Sequence, residues 1–389
     1  MKRLPHCCQR FPWQRNTAGL PLINQECLFK QTRPLLYQLN KLSAKIGVKF
    51  QMENRFAINL FKILGATLIL LSTFAIAGNA NWDEFQQQFI TQDGRITDTG
   101  NSGISHTEGQ GLAMLLSVQY NDQTTFDRIW YWTKSNLQVR EDKLFAWSWS
   151  PSEGVKDFNN ASDGDLFIAW ALSRAYSKWK SPEYLAASIE ISQAIRGKLL
   201  RKTNRGIVIT PGLVGFDSPE GQVINLSYWV FPAIDDLNAV DPSPQWSELK
   251  SSGTQLIKSA RFGKWHLPPD WLLIGNAVSP TKNNQFGYDA VRIPLYLIWG
   301  KVANKELMKP FKDFWGSFKE TEFLPSWTNL DNNTVGAYNA SAGFHNIAKL
   351  ALAYPQIETL ELAKPSPSEN YYSYMLTLFT QLALDDLKK

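Results

Sequence analysis

The 389-residue sequence predicts an all-α protein in which fully buried helices alternate with amphipathic ones. Residues 166–172 read LFIAWAL without a polar interruption, and a helix apolar on every face is buried on every face. Residues 185–199 instead place Ala187, Ile191, Ala194, Ile195 and Leu199 along one stripe, as in an outer helix resting one face on a core. Residues 371–387 repeat the outer pattern with Tyr372, Met375, Leu376, Phe379 and Ala383.

Taken in order, helical segments are expected near 82–91, 107–120, 123–136, 162–179, 183–200, 226–238, 244–262, 285–303, 304–317, 334–353 and 367–387. Long loops carrying Pro, Gly and Trp separate them at 140–160, 201–224, 264–284 and 320–333. Long loops on a rigid helical scaffold usually carry function. No Pro/Ser-rich linker interrupts 81–389, so one domain is expected there.

Residues 63–77, ILGATLILLSTFAIA, are apolar but short of the ~20 residues of a membrane span. Arg55 and Lys62 precede the run, and the small residues of Ala75-Ile76-Ala77 and Gly78-Asn79-Ala80 follow. This is the layout of a secretory signal peptide over 52–80, cleaved after Ala77 or Ala80, with an uncleaved anchor as the other reading. Residues 1–51 then read as an upstream, unstructured extension. The mature chain is expected in the periplasm or secreted, as a monomer without a stable membrane span.

Residues 1–80 hold 11 of the 40 Lys/Arg and two of the 35 Asp/Glu, so 81–389 carries 29 basic against 33 acidic residues. A phosphate-binding surface needs an excess of cations, so nucleic acid is not an expected partner. All three cysteines (Cys7, Cys8, Cys27) precede the body, which therefore has no disulfide framework or thiolate metal site and tolerates an oxidising compartment. His106, His266 and His345 lack metal-ligand spacing, and no phosphate loop or nucleophile elbow is present; no metal and no cofactor are expected. The 15 Trp, 13 Tyr and 22 Phe suit a large core, and some suit the walls of a sugar cleft.

Three acids sit in unusual settings. Glu108, in SHTEGQGLAMLL, falls in a first helical turn that Ser105 or Thr107 can cap. Gly109 and Gly111 beside it weaken a helix and so need a reason, such as close approach of a ligand; a charge favourable to the helix dipole is the plainer account of Glu108. Asp163, in NNASDGDLFIAWAL, lies in a polar cluster at the start of a buried helix, where Ser162 or Asp163 could be the cap and Asp165 a dipole partner. Asp289, in QFGYDAVRIPLYLIWG, has Arg292 three residues on, in reach of an ion pair. Paired carboxylates, abundant Trp and no cofactor motif fit glycoside hydrolysis.

These segments carry a resemblance. TEGQG at 107–111, ASDGDLFIAWALSRAYSKW at 161–179 and GYDAVRIPLYL at 287–297 resemble glycoside hydrolase family 8, with Ser173 standing where an aliphatic residue is expected. LPPDW at 267–271 and NLSYWVFPA at 225–233 are similar to members associated with bacterial cellulose synthesis. The resemblance implies an (α/α)6 barrel with an open cleft at one end, and endo-acting, metal-free, inverting hydrolysis of β-1,4-linked glucan. It implies Glu108 as general acid, Asp289 as general base, and Asp163 as the acid holding the distorted sugar. Such an acid must be protonated, so a raised Glu108 pKa is expected. Arg292 would orient Asp289, and Arg292, Tyr228, Trp147, Trp229, Trp271 and Tyr288 form the expected substrate-binding set. Trp149 and Trp265 are further candidates for the cleft wall. The sequence leaves open the same chemistry on xylan, chitosan or mixed-linkage glucan, a non-catalytic glucan-binding partner of a cellulose-export system, and a helical barrel of another family.

Overall fold

The computed structural model describes residues 80–281, 284–318 and 323–389; the leader read as extension and signal peptide, but for Ala80, lies outside the described residues. Eleven α-helices occur in the described part: α1 (80–89), α2 (Thr107–Gln119), α3 (Gln123–Asn136), α4 (Ser162–Trp179), α5 (Pro182–Lys198), α6 (Phe231–Val240), α7 (Pro244–Ser259), α8 (Ile293–Trp299), α9 (Lys305–Gly316), α10 (Ala342–Ala353) and α11 (Tyr371–Leu387). Among the described residues no helix is long and apolar enough to cross a membrane.

The helices form the (α/α)6 barrel that the sequence implies. α2, α4 and α8 are buried nearly all round, whereas α3, α5, α7 and α9 bury one stripe each. α11 corrects the expectation of an outer helix, since it is buried along nearly its whole length and packs between α2, α8 and α10. The hydroxyls that suggest a polar face are satisfied or covered within the fold. Thr380 Oγ1 donates to Leu376 O at 2.7 Å inside the helix, and Tyr374 Oη reaches Glu84 on α1 at 3.1 Å.

Three expected helices start well late. The segment from 285 begins instead as β9 (Gln285–Phe286), paired with β10 (Thr328–Asn329), and enters α8 through a 3-10 turn at Ala290–Arg292. Pro294 has no N–H to bond backwards, so it sits at the second position of α8, where none is needed. Pro232 sets the start of α6 in the same way, leaving a 3-10 turn at Leu226–Tyr228. Residues 334–341 are extended, with bridges from Val335 to Thr328 and from Asn339 to Pro325.

The loops hold more strand than the sequence suggests. β1 (Ser105–His106) pairs with β2 (Ser148–Trp149), and β3 (Leu200–Thr203) forms a hairpin with β4 (Gly206–Ile209). β5 (Asp217–Ser218), β6 (Gly221–Ile224), β7 (Leu272–Ile274) and β8 (Val278–Pro280) make an antiparallel sheet in which Val223 faces Leu273. This sheet joins the 225–228 turn to the 270–289 segment, and both enter the site.

Close helix packing, not ligand approach, explains the glycines of α2. A Cβ on Gly111 would lie 2.6 Å from Phe167 Cβ and 2.8 Å from Ile168 N on α4. Gly111→Ala is therefore expected to lower stability. The better helix propensity of Ala gains about 1 kcal/mol, but overpacking against a backbone that cannot swing aside costs about 1–3 kcal/mol. Urea unfolding monitored by Trp fluorescence measures the net change, and unaltered or increased stability would contradict this packing account.

Candidate active site

The N-terminal ends of inner helices converge on the three acids. Thr107 and Glu108 open α2, and Ser162 and Asp163 open α4. Gly164 lets these two first turns touch, because a Cβ there would lie 1.9 Å from Thr107 Oγ1 and 2.9 Å from Glu108 N. Glu108 and Asp163 consequently share a hydrogen bond. The cap of α2 is neither Ser105 nor Thr107 but His106, whose Nδ1 accepts from Gly109 N at 3.0 Å while Nε2 faces Asp98 Oδ2 at 3.4 Å. α4 has no side-chain cap, since Asp163 Oδ1 accepts from the adjacent Gly164 N at 2.8 Å and Asp165 points away to the loops.

Arg292 joins the third acid to the first. Its Nη1 donates to Glu108 Oε2 at 2.6 Å, and its Nη2 donates to Asp289 Oδ1 at 2.9 Å and to Ser227 Oγ at 3.2 Å. Two carboxylates on two prongs of one guanidinium are separated by the fork plus two hydrogen bonds, a span that admits the roughly 6.5–9.5 Å of an inverting pair. Arg292 is 3% exposed and both its terminal nitrogens donate to protein groups, Asp289 among them. The turn bearing Asp289 is also gripped from outside. Asp270 Oδ1 accepts from Gly287 N at 2.9 Å and Ala290 N at 2.8 Å, and Tyr372 Oη donates to Tyr288 O.

The electrostatics separate the three acids. Burial raises Asp289 to about 6, with Asp270 and Glu108 adding to the rise and Arg292 opposing it. Burial and the neighbouring Glu108 charge push Asp163 well above the usual carboxylate range. Burial also raises Glu108, but Arg292, His106 and the hydrogen bond from Asp163 outweigh it and hold Glu108 below its ordinary value. The rise expected of Glu108 with sugar bound over it is therefore not produced by these protein groups alone. Their opposite directions put the shared proton on Asp163, hydrogen-bonded to an ionised Glu108.

The aromatic candidates divide. Trp147 is 36% and Tyr288 53% exposed. Trp149, Tyr228 and Trp271 are half-buried, with Trp271 stacked on Phe216 at 5.9 Å and edge-on to Tyr228. Trp229 and Trp265 are core residues. Trp229 donates Nε1 to Leu249 O at 2.8 Å and abuts Gly253, while Trp265 packs on Phe314. Trp229 follows a 3-10 turn that leaves Tyr228 half-buried and turns the next ring fully inward, a geometry no helical periodicity reveals. Trp327 and Tyr338 escaped the sequence reading because they lie in a loop without a pattern. With Tyr288, Phe344 and Tyr372 they line a pocket of about 240 Å³ beside the Asp289 turn. A larger cavity of about 780 Å³ lies at the opposite end of the barrel, among C-terminal helix residues such as Gln119, Gly300 and Leu387, away from the carboxylates. No group of three or more His, Cys, Asp or Glu among the described residues could hold a metal ion.

Asp165 anchors the loops to this floor. It accepts from Phe145 N at 3.0 Å and Asn160 Nδ2 at 2.7 Å, and Asn160 Oδ1 accepts from Leu213 N at 2.9 Å. Asn159 continues the clasp to Val214, and its carbonyl accepts from Trp147 N at 2.9 Å.

Carboxylates paired across the mouth of a helical barrel, with aromatic rings nearby and no metal-ligand cluster, define a glycoside hydrolase site. Comparison with known proteins agrees. The family described as "Glycosyl hydrolases family 8" matches residues 60–386. A probable endoglucanase of Novacetimonas hansenii is 34% identical over 337 residues, covering 82% of this chain and 96% of the relative. An endoglucanase of Cellulomonas uda is 36% identical over 307 residues, covering 76% and 83%. The solved endo-β-1,4-glucanase of Acetobacter xylinum superposes with a TM-score of 0.75 at 34% identity, covering 80% of this chain and 99% of that one. The chain belongs to glycoside hydrolase family 8.

Burial holds Asp165 at about 7 against the hydrogen bonds of Asn160 and Phe145, above the ~3.9 of an unfolded Asp. A raised folded pKa contributes stability that is full below the unfolded value and is lost as pH rises through the folded one. Asp165→Asn removes that loss. Its melting temperature relative to wild type should therefore rise between pH 4 and pH 8. A difference that is flat or falls across this window contradicts the assignment.

Proposed function

We propose that the chain is an endo-acting β-1,4-glucanase that hydrolyses with inversion, Glu108 serving as general acid and Asp289 as general base. The observation that carries this is the single Arg292 guanidinium bonded to both carboxylates at the mouths of α2 and α8. An inverting enzyme needs one acid at the leaving oxygen and one base that activates water from the opposite face. Asp289, at about 6, is largely ionised at neutral pH and basic enough to accept a proton from water. The proton that Glu108 must donate is held one hydrogen bond away on Asp163, which also holds the sugar at the cleavage point. The glucan assignment follows the endoglucanases to which the chain is similar over most of its length. Xylan, chitosan and mixed-linkage glucan remain the comparison substrates. Retention of all three acids favours catalysis over a binding-only role. Export is part of the proposal, on the basic, apolar and Ala-x-Ala layout of the leader.

Glu108→Gln and Asp289→Asn keep shape but cannot transfer the proton, so turnover on soluble β-1,4-glucan should fall about 10²–10⁴-fold or more while cello-oligosaccharide binding persists. Asp163→Asn should lose both rate and binding. Reducing-end release measures the rates, and NMR of the first-formed product should show the α-anomer. Near wild-type turnover by either Glu108→Gln or Asp289→Asn removes the assignment, and a β-anomer removes inversion.

A further inference from the structure

Asp270 is a buried acid, 4% exposed, that the chemistry above leaves without a task. It lies just before β7, in the LPPDW segment, and its backbone N–H bonds Gln285 O at 2.7 Å. Its carboxylate faces only donors: Gly287 N at 2.9 Å and Ala290 N at 2.8 Å on Oδ1, and the Gln285 side-chain amide at 3.0 Å on Oδ2. Asp289 lies between the two gripped backbone groups. Three donors take up most of its lone-pair sites and the residue is buried against the turn, so it is not itself the base. Burial pushes the Asp270 pKa up, and the hydrogen bonds from Ala290, Gln285 and Gly287 oppose that rise; an all-donor surround suits a carboxylate better than a carboxylic acid, which would need an acceptor for its proton.

We propose that Asp270 is a positioning residue for hydrolysis, clamping the turn that aims Asp289 and placing a second carboxylate beside it. This rests on Asp289 being the base. The groups facing Asp289 are Arg292 of its own segment, Glu108 of α2, Asp270 of the β7 segment, Tyr228 of the 3-10 turn and Tyr372 of α11. Arg292 favours the ionised form. Asp270 and Glu108 oppose it, and the two tyrosines are neutral until well above physiological pH. Removing the Asp270 charge makes Asp289 easier to ionise, so the acidic limb of activity moves to lower pH.

Two variants separate clamp from charge. Asp270→Asn keeps an oxygen for Gly287 and Ala290, and a flipped Gln285 amide can accept from the new NH₂, so the clamp survives while the charge goes. Asp270→Ala removes both. The test measures kcat and KM on a soluble cello-oligosaccharide from pH 4 to 9, with folding verified by circular dichroism and Asp289→Asn as reference. For Asp270→Asn we expect the acidic limb of kcat/KM, which reports the free enzyme, to shift down by about one pH unit with modest loss at the optimum. For Asp270→Ala we expect kcat to fall at least about 10²-fold with KM little changed. A merely structural acid would not move the limb. An unmoved or upward limb in Asp270→Asn overturns the proposal even where Asp270→Ala fails to fold, and a near wild-type kcat in a folded Asp270→Ala overturns the clamp. An active Asp289→Asn would instead overturn the base assignment itself.

Discussion

A guanidinium buried as deeply as Arg292 has to be paired. Leaving a buried charge without its partner costs about 3–5 kcal/mol, and the flat fork of arginine offers two directions for pairing where lysine offers a point. Here the two directions lead to different elements. One carboxylate comes from the first turn of α2 and the other from the turn before α8, with Ser227 accepting from the same nitrogen as Asp289. Three chain segments remote in sequence are thereby held to one planar group. The requirement that Arg292 be satisfied is the same requirement that holds Glu108 and Asp289, the proposed acid and base, to one group.

The rest of the fold serves that arrangement. Inner helices open toward the cleft, so their dipoles favour negative charge where the acids sit. That bias alone would leave three ionised carboxylates, a poor state for an acid catalyst. Burial together with mutual repulsion divides the roles. Asp163 takes the proton, Glu108 is held charged by Arg292, and Asp289 is raised to about 6. Gly164 is the steric condition for this sharing, since any side chain there would separate the first turns of α2 and α4. The loops contribute through a second set of hydrogen bonds, from Asp165 through Asn160 and Asn159, which fixes the rim carrying Trp147.

Much of the scaffold was legible because its signals are local. LFIAWAL announces a buried helix, and the start of α4 matched to the residue. α11 reads as an outer helix from its apolar stripe, but the hydroxyls on its other face are buried too, as Thr380 shows by bonding within its own helix. The late start of α8 hid in plain view at Pro294, while the strand before it depends on a partner forty residues away. Sheet β5–β8 has short strands, and only the GIVI of β4 offered a β-branched run for the hairpin. The three acids stood out as surplus polarity at helix starts. Asp270 did not, because an acid after two prolines reads as loop. Trp229 and Tyr228 are neighbours with opposite fates, decided by a single 3-10 turn. The charge state of Glu108 depends on a contact 184 positions away in sequence, and no local pattern encodes it.

One bidentate guanidinium holds Glu108 and Asp289, the proposed acid and base, in register. Replacing Arg292 by Lys tests it most directly, since the charge stays and the fork is lost. On folded protein, kcat/KM for a soluble β-1,4-glucan should fall by about 10²-fold or more, the scale set by misplacing reacting groups by about 1 Å. A value within a few-fold of wild type would contradict the account, because a single ammonium would then suffice and the bridge would be incidental.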